Sequence, residues 1–277
     1  MASASSSQWA RLLKNQGVWE GSFTQISPAG QVLGDMPSEV SLTPLAEGNT
    51  MRQIVRKMPP GQPTSELVLE YSSLGRGVLF CETGAFSQGS IQRSPVSEFG
   101  AELGLIHCSD RLRLAFVFPK QPALGSLTLI REYLQGSKNQ RPALTVDQLV
   151  GTWEGEAETV FPDLQPPRTV ATQLTVRQQA DGTVAQTLNF DRLTVETQGQ
   201  IDGSTLRFSQ GSQPVTVLLL PGGGSASFPT EIQSGQPFFL EAGWLISPTL
   251  RQRLIRAYSA QGSWESLTLV TERLSSP

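Results

Sequence analysis

Apolar and polar side chains alternate along most of this chain, which is the pattern of β-strands with one buried face. Thr172, Leu174 and Val176 share one face of a predicted strand, and the turn-forming pair Asp181-Gly182 follows them. Such turn signals recur about every 8 to 15 residues, which favours antiparallel strands joined by short turns over βαβ units. The sequence therefore predicts an all-β protein.

An internal repeat divides the 277 residues into two halves. Residues 105–134 match residues 245–274 at 12 of 30 positions without a gap, an offset of 140. The same offset carries Arg111 and Arg113 onto Arg251 and Arg253. A polar, turn-forming segment at 136–142 separates the copies. We therefore predict two homologous domains, residues 1–136 and 137–277.

Each copy opens with the same local pattern. A short helix is predicted at residues 7–14 and again at 146–150, and each helix shortly precedes a Gly-x-Trp-Glu-Gly segment, at 17–21 and at 151–155. A helix, Gly-x-Trp, about eight antiparallel strands and a basic residue in the last strand resemble the calycin superfamily, the lipocalins and their relatives. The resemblance implies two tandem antiparallel lipocalin-like β-barrels, each preceded by a short helix.

In calycins the tryptophan closes one end of the barrel and a cation from the last strand lies across the indole. The resemblance therefore implies that Trp19 and Trp153 are plugs, with Arg131 and Arg273 as the candidate cations. The two-barrel layout as a whole is similar to a cyanobacterial two-domain calycin family of unassigned function.

A second resemblance covers about 30 residues near the C-terminus. Trp244, Pro248 and the run Leu250-Arg251-Gln252-Arg253, followed by Ser266 and Glu272, resemble phycobilin lyases of the S/U type. Those proteins carry open-chain tetrapyrroles to antenna proteins. The resemblance implies a bilin or other hydrophobic molecule as the ligand and a phycobiliprotein subunit as a possible partner.

Arginine suits the propionates of a bilin because its planar fork pairs bidentately with carboxylates, and glutamates could meet the pyrrole nitrogens. The alternative is that the arginines face solvent, which is favoured by Leu112, Leu114, Phe116 and Phe118 on the opposite face of the first-half strand. Glu241 is a further available carboxylate. The second half is the preferred binding half. The predicted ligand-binding residues are Arg251, Arg253, Trp244 and Glu272 in the second half and Arg111, Arg113, Glu102 and Glu132 in the first.

Composition narrows the class of protein. Hydrophobic residues make up 38% and charged residues 16% of the chain, which is typical of a globular protein. The longest apolar run is far too short to span a bilayer, and a net charge of −3 argues against a nucleic-acid partner. The chain start lacks the apolar stretch of a secretory signal, and two cysteines are too few for a disulfide framework. We therefore expect a cytoplasmic protein.

Catalytic chemistry has one candidate set of nucleophiles, His107, Cys108 and Cys81, all in the first half. Neighbouring side chains diverge in a strand, so buried apolar cysteines are the simpler interpretation. A single histidine also predicts that there is no ordinary His-rich metal site.

Three functions follow from these patterns. The leading hypothesis is a non-catalytic binding or carrier protein for a small apolar or tetrapyrrole-like ligand. The second is an enzyme that attaches or isomerises a chromophore, as phycobilin lyases do. The third is an interaction protein whose barrels are filled by side chains.

Overall fold

Two antiparallel β-sheets make up the protein, one in each half of the chain. The computed structural model describes residues 6–137 and 141–275, so Lys138, Asn139 and Gln140 of the predicted linker lie outside the described residues. Helix within these ranges is confined to one short α-helix and a few single 3₁₀ turns. The all-β prediction is confirmed.

The second half forms a closed barrel of ten strands, in which each strand pairs with its neighbours in sequence and the last pairs with the first. Closure removes every free strand edge from this half. The strands are β10 (Gly151–Val160), β11 (Arg168–Gln178), β12 (Thr183–Phe190), β13 (Leu193–Asp202), β14 (Thr205–Phe208), β15 (Val215–Leu219), β16 (Gly224–Pro229), β17 (Phe238–Ser247), β18 (Leu250–Tyr258) and β19 (Trp264–Leu274).

The first half forms an open sheet of nine strands, in the order β4-β3-β2-β1-β9-β8-β7-β6-β5. The strands are β1 (Gly17–Ile26), β2 (Val32–Leu45), β3 (Thr50–Lys57), β4 (Ser65–Tyr71), β5 (Val78–Phe80), β6 (Phe86–Gly89), β7 (Phe99–His107), β8 (Asp110–Phe118) and β9 (Ser126–Leu134). The expected closed barrel is therefore corrected to a curled half-barrel. Closure fails because β5 has only three residues and the segment 72–77 before it runs in bends and turns, so β4 and β5 leave a gap.

The predicted helix at 7–14 is present as α1 (Gln8–Leu12) followed by a 3₁₀ turn at Leu13–Asn15. The Ser7 side chain caps α1 by accepting a hydrogen bond from the Ala10 backbone N–H at 3.1 Å. The predicted helix at 146–150 is corrected to a single 3₁₀ turn, Asp147–Leu149. The Leu144 N–H bonds to the Leu220 carbonyl and Val150 is already extended, so too few residues remain for an α-helix.

The repeat extends into β7 and β17 with a shift of one residue. Gly104 pairs with Arg113 in the first sheet, and Gly243 pairs with Arg253 in the second. The two glycines are 139 positions apart, whereas the two arginines are 140 positions apart. A β-bulge between Leu245 and Ser247 absorbs the extra residue. Glu102 therefore corresponds to Glu241.

The largest apolar core lies between the two sheets. Leu112, Leu114, Phe116 and Phe118 on β8 are at most 1% exposed, and they belong to the same cluster as apolar side chains of β16–β19. The Phe116 and Phe228 rings meet edge to face at 6.2 Å. The opposite faces of the same central strands line the interior of each sheet, so these strands are buried on both sides.

One buried cation also joins the halves. Arg256 on β18 is fully buried, and its guanidinium carbon lies 3.4 Å from the centroid of the Trp264 ring. It donates to the Ser87 hydroxyl at 3.0 Å and to the Ser90 carbonyl at 3.1 Å, both in the first half. Because the halves share this core, their division into separately folded domains at 136/137 stays a prediction.

Candidate functional site

A tryptophan closes one end of each sheet. Trp19 on β1 and Trp153 on β10 are 1% and 0% exposed. Their indole N–H groups donate to the carbonyls of Asn15 and Leu149, each at 2.9 Å and each four residues earlier in the chain. The turn before each first strand thus holds its tryptophan in place, and Asn15 and Leu149 occupy equivalent positions.

An arginine covers each indole, but it comes from the penultimate strand. The Arg111 guanidinium carbon lies 4.3 Å from the Trp19 ring centroid, and that of Arg251 lies 4.7 Å from Trp153. The expectation that Arg131 and Arg273 supply these cations is wrong. Both arginines lie on the outward face of the last strand of their sheet, because side chains alternate along a strand and the neighbouring positions turn inward. The Arg131 side chain is 30% exposed, and Arg273 is exposed.

The inward residues of the first sheet form a compact ionic cluster. The Glu132 carboxylate accepts hydrogen bonds from Arg111 Nε at 2.7 Å, Arg113 Nε at 2.9 Å and Arg113 Nη2 at 2.7 Å. Arg113 Nη1 donates to Glu102 Oε1 at 2.5 Å. The side chains of Arg111, Arg113 and Glu132 are at most 9% exposed. The inward placement of both arginines therefore excludes the solvent-facing alternative for this half.

The second barrel repeats the cluster with longer contacts. Glu272 accepts from Arg251 Nε at 2.5 Å, but its contacts with Arg253 are 3.1 Å and 3.5 Å. Arg253 Nη1 donates to Glu241 at 3.3 Å, and the Ser227 hydroxyl gives Glu241 a second donor at 3.2 Å. Arg253 is consequently held less tightly than Arg113.

Both clusters keep their central carboxylate ionised. Burial acts to raise the pKa of Glu132, but Arg111 and Arg113 outweigh burial and hold that pKa at about 2. The pKa of Glu272 is lowered against burial by Arg253 and Arg251 in the same way. For Arg113 and Arg253, burial acts to lower the pKa, but the neighbouring carboxylates outweigh it and both pKa values are raised. For Arg111 and Arg251, burial outweighs the carboxylates and the pKa is lowered. The formal charges of two arginines and two glutamates cancel in each cluster.

The two halves differ most in the donors that their clusters leave free. Arg111 Nη1 donates to the Asn15 side-chain oxygen at 3.4 Å, so only Arg111 Nη2 is buried without an acceptor. At the equivalent place in the second half stands the apolar Leu149. Within residues 6–137 and 141–275, no side chain or backbone group accepts a hydrogen bond from either Nη atom of Arg251, although Arg251 is 5% exposed. A buried donor without an acceptor is costly, which makes this edge a candidate ligand contact.

A cavity of about 370 Å³ lies inside the second barrel. Arg251, Arg253 and Glu241 line it together with a larger apolar wall. The cavity reaches solvent beside Val195, which is 49% exposed. The apolar wall includes Leu174, Leu188, Leu206, Phe208, Val217 and Ile255. This volume lies in the range of small-molecule sites.

A smaller cavity of about 280 Å³ lies inside the first half-barrel. Arg111, Arg113 and Glu102 line it, and its lining includes Leu69 from the β4 edge and Val78 from the β5 edge. The gap between the two edges therefore leads to this cavity.

The structure brings together seven of the eight predicted ligand-binding residues, as two separate clusters. The exception is Trp244, which lies in the core between the sheets, where its N–H donates to the Gly222 carbonyl at 3.2 Å and Arg141 stacks on its ring. Sequence reasoning did not single out Asn15, Leu149 or Ser227. The position of Asn15 and Leu149 four residues before each Gly-x-Trp tryptophan was the available signal.

The candidate nucleophiles do not enter either site. Cys81 is fully buried, and burial raises the pKa of its thiol far above the usual range. Cys108 is exposed in the turn between β7 and β8. Over the described ranges, no group of three or more His, Cys, Asp or Glu side chains could hold a metal ion. No helix there is long and apolar enough to cross a membrane.

A tryptophan plug under an arginine, at the closed end of an antiparallel barrel with an internal cavity, is the architecture of a calycin-like protein. Comparisons with known proteins identify the family of the chain. An N-terminal model of the DUF3598 family, a domain of unknown function, matches residues 5–137. A model described as the C-terminal domain of biogenesis factor required for ATP synthase 1 matches residues 140–275.

A crystal structure of a DUF3598 protein with unknown function from Nostoc punctiforme PCC 73102 is 44% identical to this chain, with a TM-score of 0.93. The match covers 98% of this chain and 100% of that protein. The chain therefore belongs to the DUF3598 family.

A more distant match is the S-type phycobiliprotein lyase of Guillardia theta, with 13% identity and a TM-score of 0.36. It covers 48% of this chain and 91% of the lyase. This similarity is too low to carry a functional argument. No match was found among the curated proteins.

Proposed function

We propose that the second barrel binds a small amphipathic molecule whose acidic group pairs with Arg251 and whose apolar body fills the cavity. The observation that carries this proposal is that Arg251, a buried arginine without an acceptor for its Nη donors in the described residues, lines an apolar cavity of about 370 Å³. A carboxylate can accept both Nη donors side by side, which is the strong bidentate geometry of arginine.

The charge of the ligand is accommodated by Arg253 and Glu241, whose contact is long. Arg253 lies 3.3 Å from Glu241, which Ser227 also stabilises, so Arg253 can turn from Glu241 towards an incoming carboxylate. A charge-assisted hydrogen bond contributes about 1.5–3 kcal/mol, enough for a selective preference for acids. Open-chain tetrapyrroles, with their propionates, are one class of such acids, and the lyase-like sequence segment makes them a useful probe. A larger ligand of this class would extend through the opening at Val195.

A cavity of this size counts against a barrel filled by side chains. The enzymatic alternative requires an acceptor for the ligand, and no feature of the cavity favours it over simple binding. We therefore propose a binding or carrier role.

The test is a titration of the whole protein with cis-parinaric acid, a fluorescent fatty acid, and with biliverdin, an open-chain tetrapyrrole. We expect saturable binding of at least one probe, weakened roughly tenfold to hundredfold by Arg251→Leu because the charged hydrogen bonds are lost. Arg207→Leu, which removes an exposed arginine from the outer face of β14, is the matched control.

A second pair of variants keeps the test independent of the ion cluster. Val195→Trp should block the cavity opening, whereas Glu196→Trp places the same ring on the outer face of β13. Binding that survives both Arg251→Leu and Val195→Trp, or no binding of either probe, would overturn the proposal.

A further inference from the structure

We infer that the half-barrel of the first half is a second, independent binding site that takes a neutral hydrogen-bond acceptor on an apolar body. Arg111 lines the cavity of about 280 Å³, which supplies the space, and its guanidinium, whose Nη2 has no acceptor, supplies the polar contact. Arg111 is 3% exposed, so this N–H group has lost its water and has gained no acceptor in the part of the chain that the structure describes.

The charge preference follows from the rigidity of the first cluster. Arg113 makes three contacts of 2.9 Å or less with Glu132 and Glu102, so it cannot turn towards a ligand without breaking buried ion pairs. Asn15 already takes the Nη1 donor of Arg111. A ligand carboxylate would therefore find one donor instead of two and would add an uncompensated charge to a neutral, buried cluster. A carbonyl, amide or sulfonamide oxygen needs only the single donor.

The route of entry differs from that of the second barrel. The β4 and β5 edges do not pair, and the cavity lining joins them through Leu69 and Val78. Leu69 is 42% exposed, so the cavity meets solvent at this gap. The neighbouring Val68 is 41% exposed on the opposite face of β4 and does not line the cavity. A bulky side chain at position 69 would close the gap, and one at position 68 would not.

The experiment compares dansylamide, which is neutral, with dansylglycine, which carries a carboxylate on the same fluorophore. Dansyl emission is followed during titration of the full chain and of Leu69→Trp, Val68→Trp and Arg251→Leu. We expect dansylamide to bind with a blue-shifted emission, to lose at least about tenfold in affinity in Leu69→Trp and to bind Val68→Trp and Arg251→Leu unchanged. Both tryptophans replace half-exposed side chains, so both variants should fold.

The decisive variant is Asn15→Leu, which copies the second half by releasing Arg111 Nη1. It should raise the affinity of the first site for dansylglycine at least about fivefold relative to dansylamide. The inference is overturned if dansylamide does not bind, if Leu69→Trp leaves its binding unchanged, or if dansylglycine binds the unaltered first site as well as dansylamide does. Arg251→Leu reports on the second barrel alone, so failure of one site is distinguishable from failure of the other.

Discussion

The two ionic clusters contain the same residue types in the same order on equivalent strands, yet they present different surfaces to their cavities. In the first half, Asn15 and a closely bound Arg113 leave one buried donor free. In the second half, Leu149 removes the acceptor and the longer Arg253 contacts loosen the rest. The comparison teaches that one neighbouring side chain decides how much of a buried arginine is available, while both copies keep the Nε contact from that arginine to the central glutamate.

The largest effect should come from removing the central carboxylates, because two buried arginines then have only the outer glutamate as a counterion. Glu132→Gln and Glu272→Gln should each lower the free energy of unfolding by about 3–5 kcal/mol. The loss should be greater for Glu132, whose three contacts are all 2.9 Å or shorter. Urea denaturation followed by tryptophan fluorescence measures both, with the exposed Glu20→Gln as control. Equal losses would show that the shorter contacts of the first cluster bring no extra stability.

The free energy of unfolding should depend on pH in acid because the pKa of Glu132 is lower than that of an ordinary carboxylate. Its folded-state pKa of about 2 is depressed from 4.5, so its contribution is fully present above pH about 4.5 and is lost as the pH falls towards 2. The shift corresponds to about 3 kcal/mol of unfolding free energy. We expect stability to decline over this window in the unaltered protein and the decline to be shallower in Glu132→Gln. A parallel decline in both proteins would remove Glu132 as its cause.

The smallest effect should come from the outer carboxylates, which are partly exposed. Glu102→Gln should cost about 1 kcal/mol and Glu241→Gln less, since the Arg113–Glu102 contact is 2.5 Å and the Arg253–Glu241 contact is 3.3 Å. Glu241→Gln should in addition strengthen binding of cis-parinaric acid by freeing Arg253. Weaker binding of the acid in this variant would contradict the role given to Arg253.

Much of this arrangement was predictable from the sequence. The repeat at offset 140 placed Arg111 and Arg251 on equivalent strands, and the alternation pattern gave the all-β class. Alternation shows only that two faces differ, so it could not tell that Arg131 and Arg273 face outward while Arg111 and Arg251 face inward. The apolar face of β8 suggested an interior, but that face packs against the other half.

Other features depended on contacts between distant residues. The bulge at Leu245 shifts Trp244 out of the barrel and brings Glu241 into it, and a gapless alignment cannot show this. The gap between β4 and β5 depends on a three-residue strand that propensity does not resolve. The significance of Asn15 lies in the atom of Arg111 that it meets, 96 positions further along the chain, and that of Leu149 in having no acceptor in its side chain at the equivalent place.

The shared core between the sheets has a consequence for how the two copies can diverge. A substitution on the packed face of β8 has to be accommodated by β16 and β17, because Phe116 meets Phe228 of β16 and β8 also contacts β17. A substitution inside one cavity, such as asparagine for leucine beside the plug, is felt in that copy alone. Duplication has therefore produced a molecule whose outer faces constrain each other while its two interiors remain free to specialise.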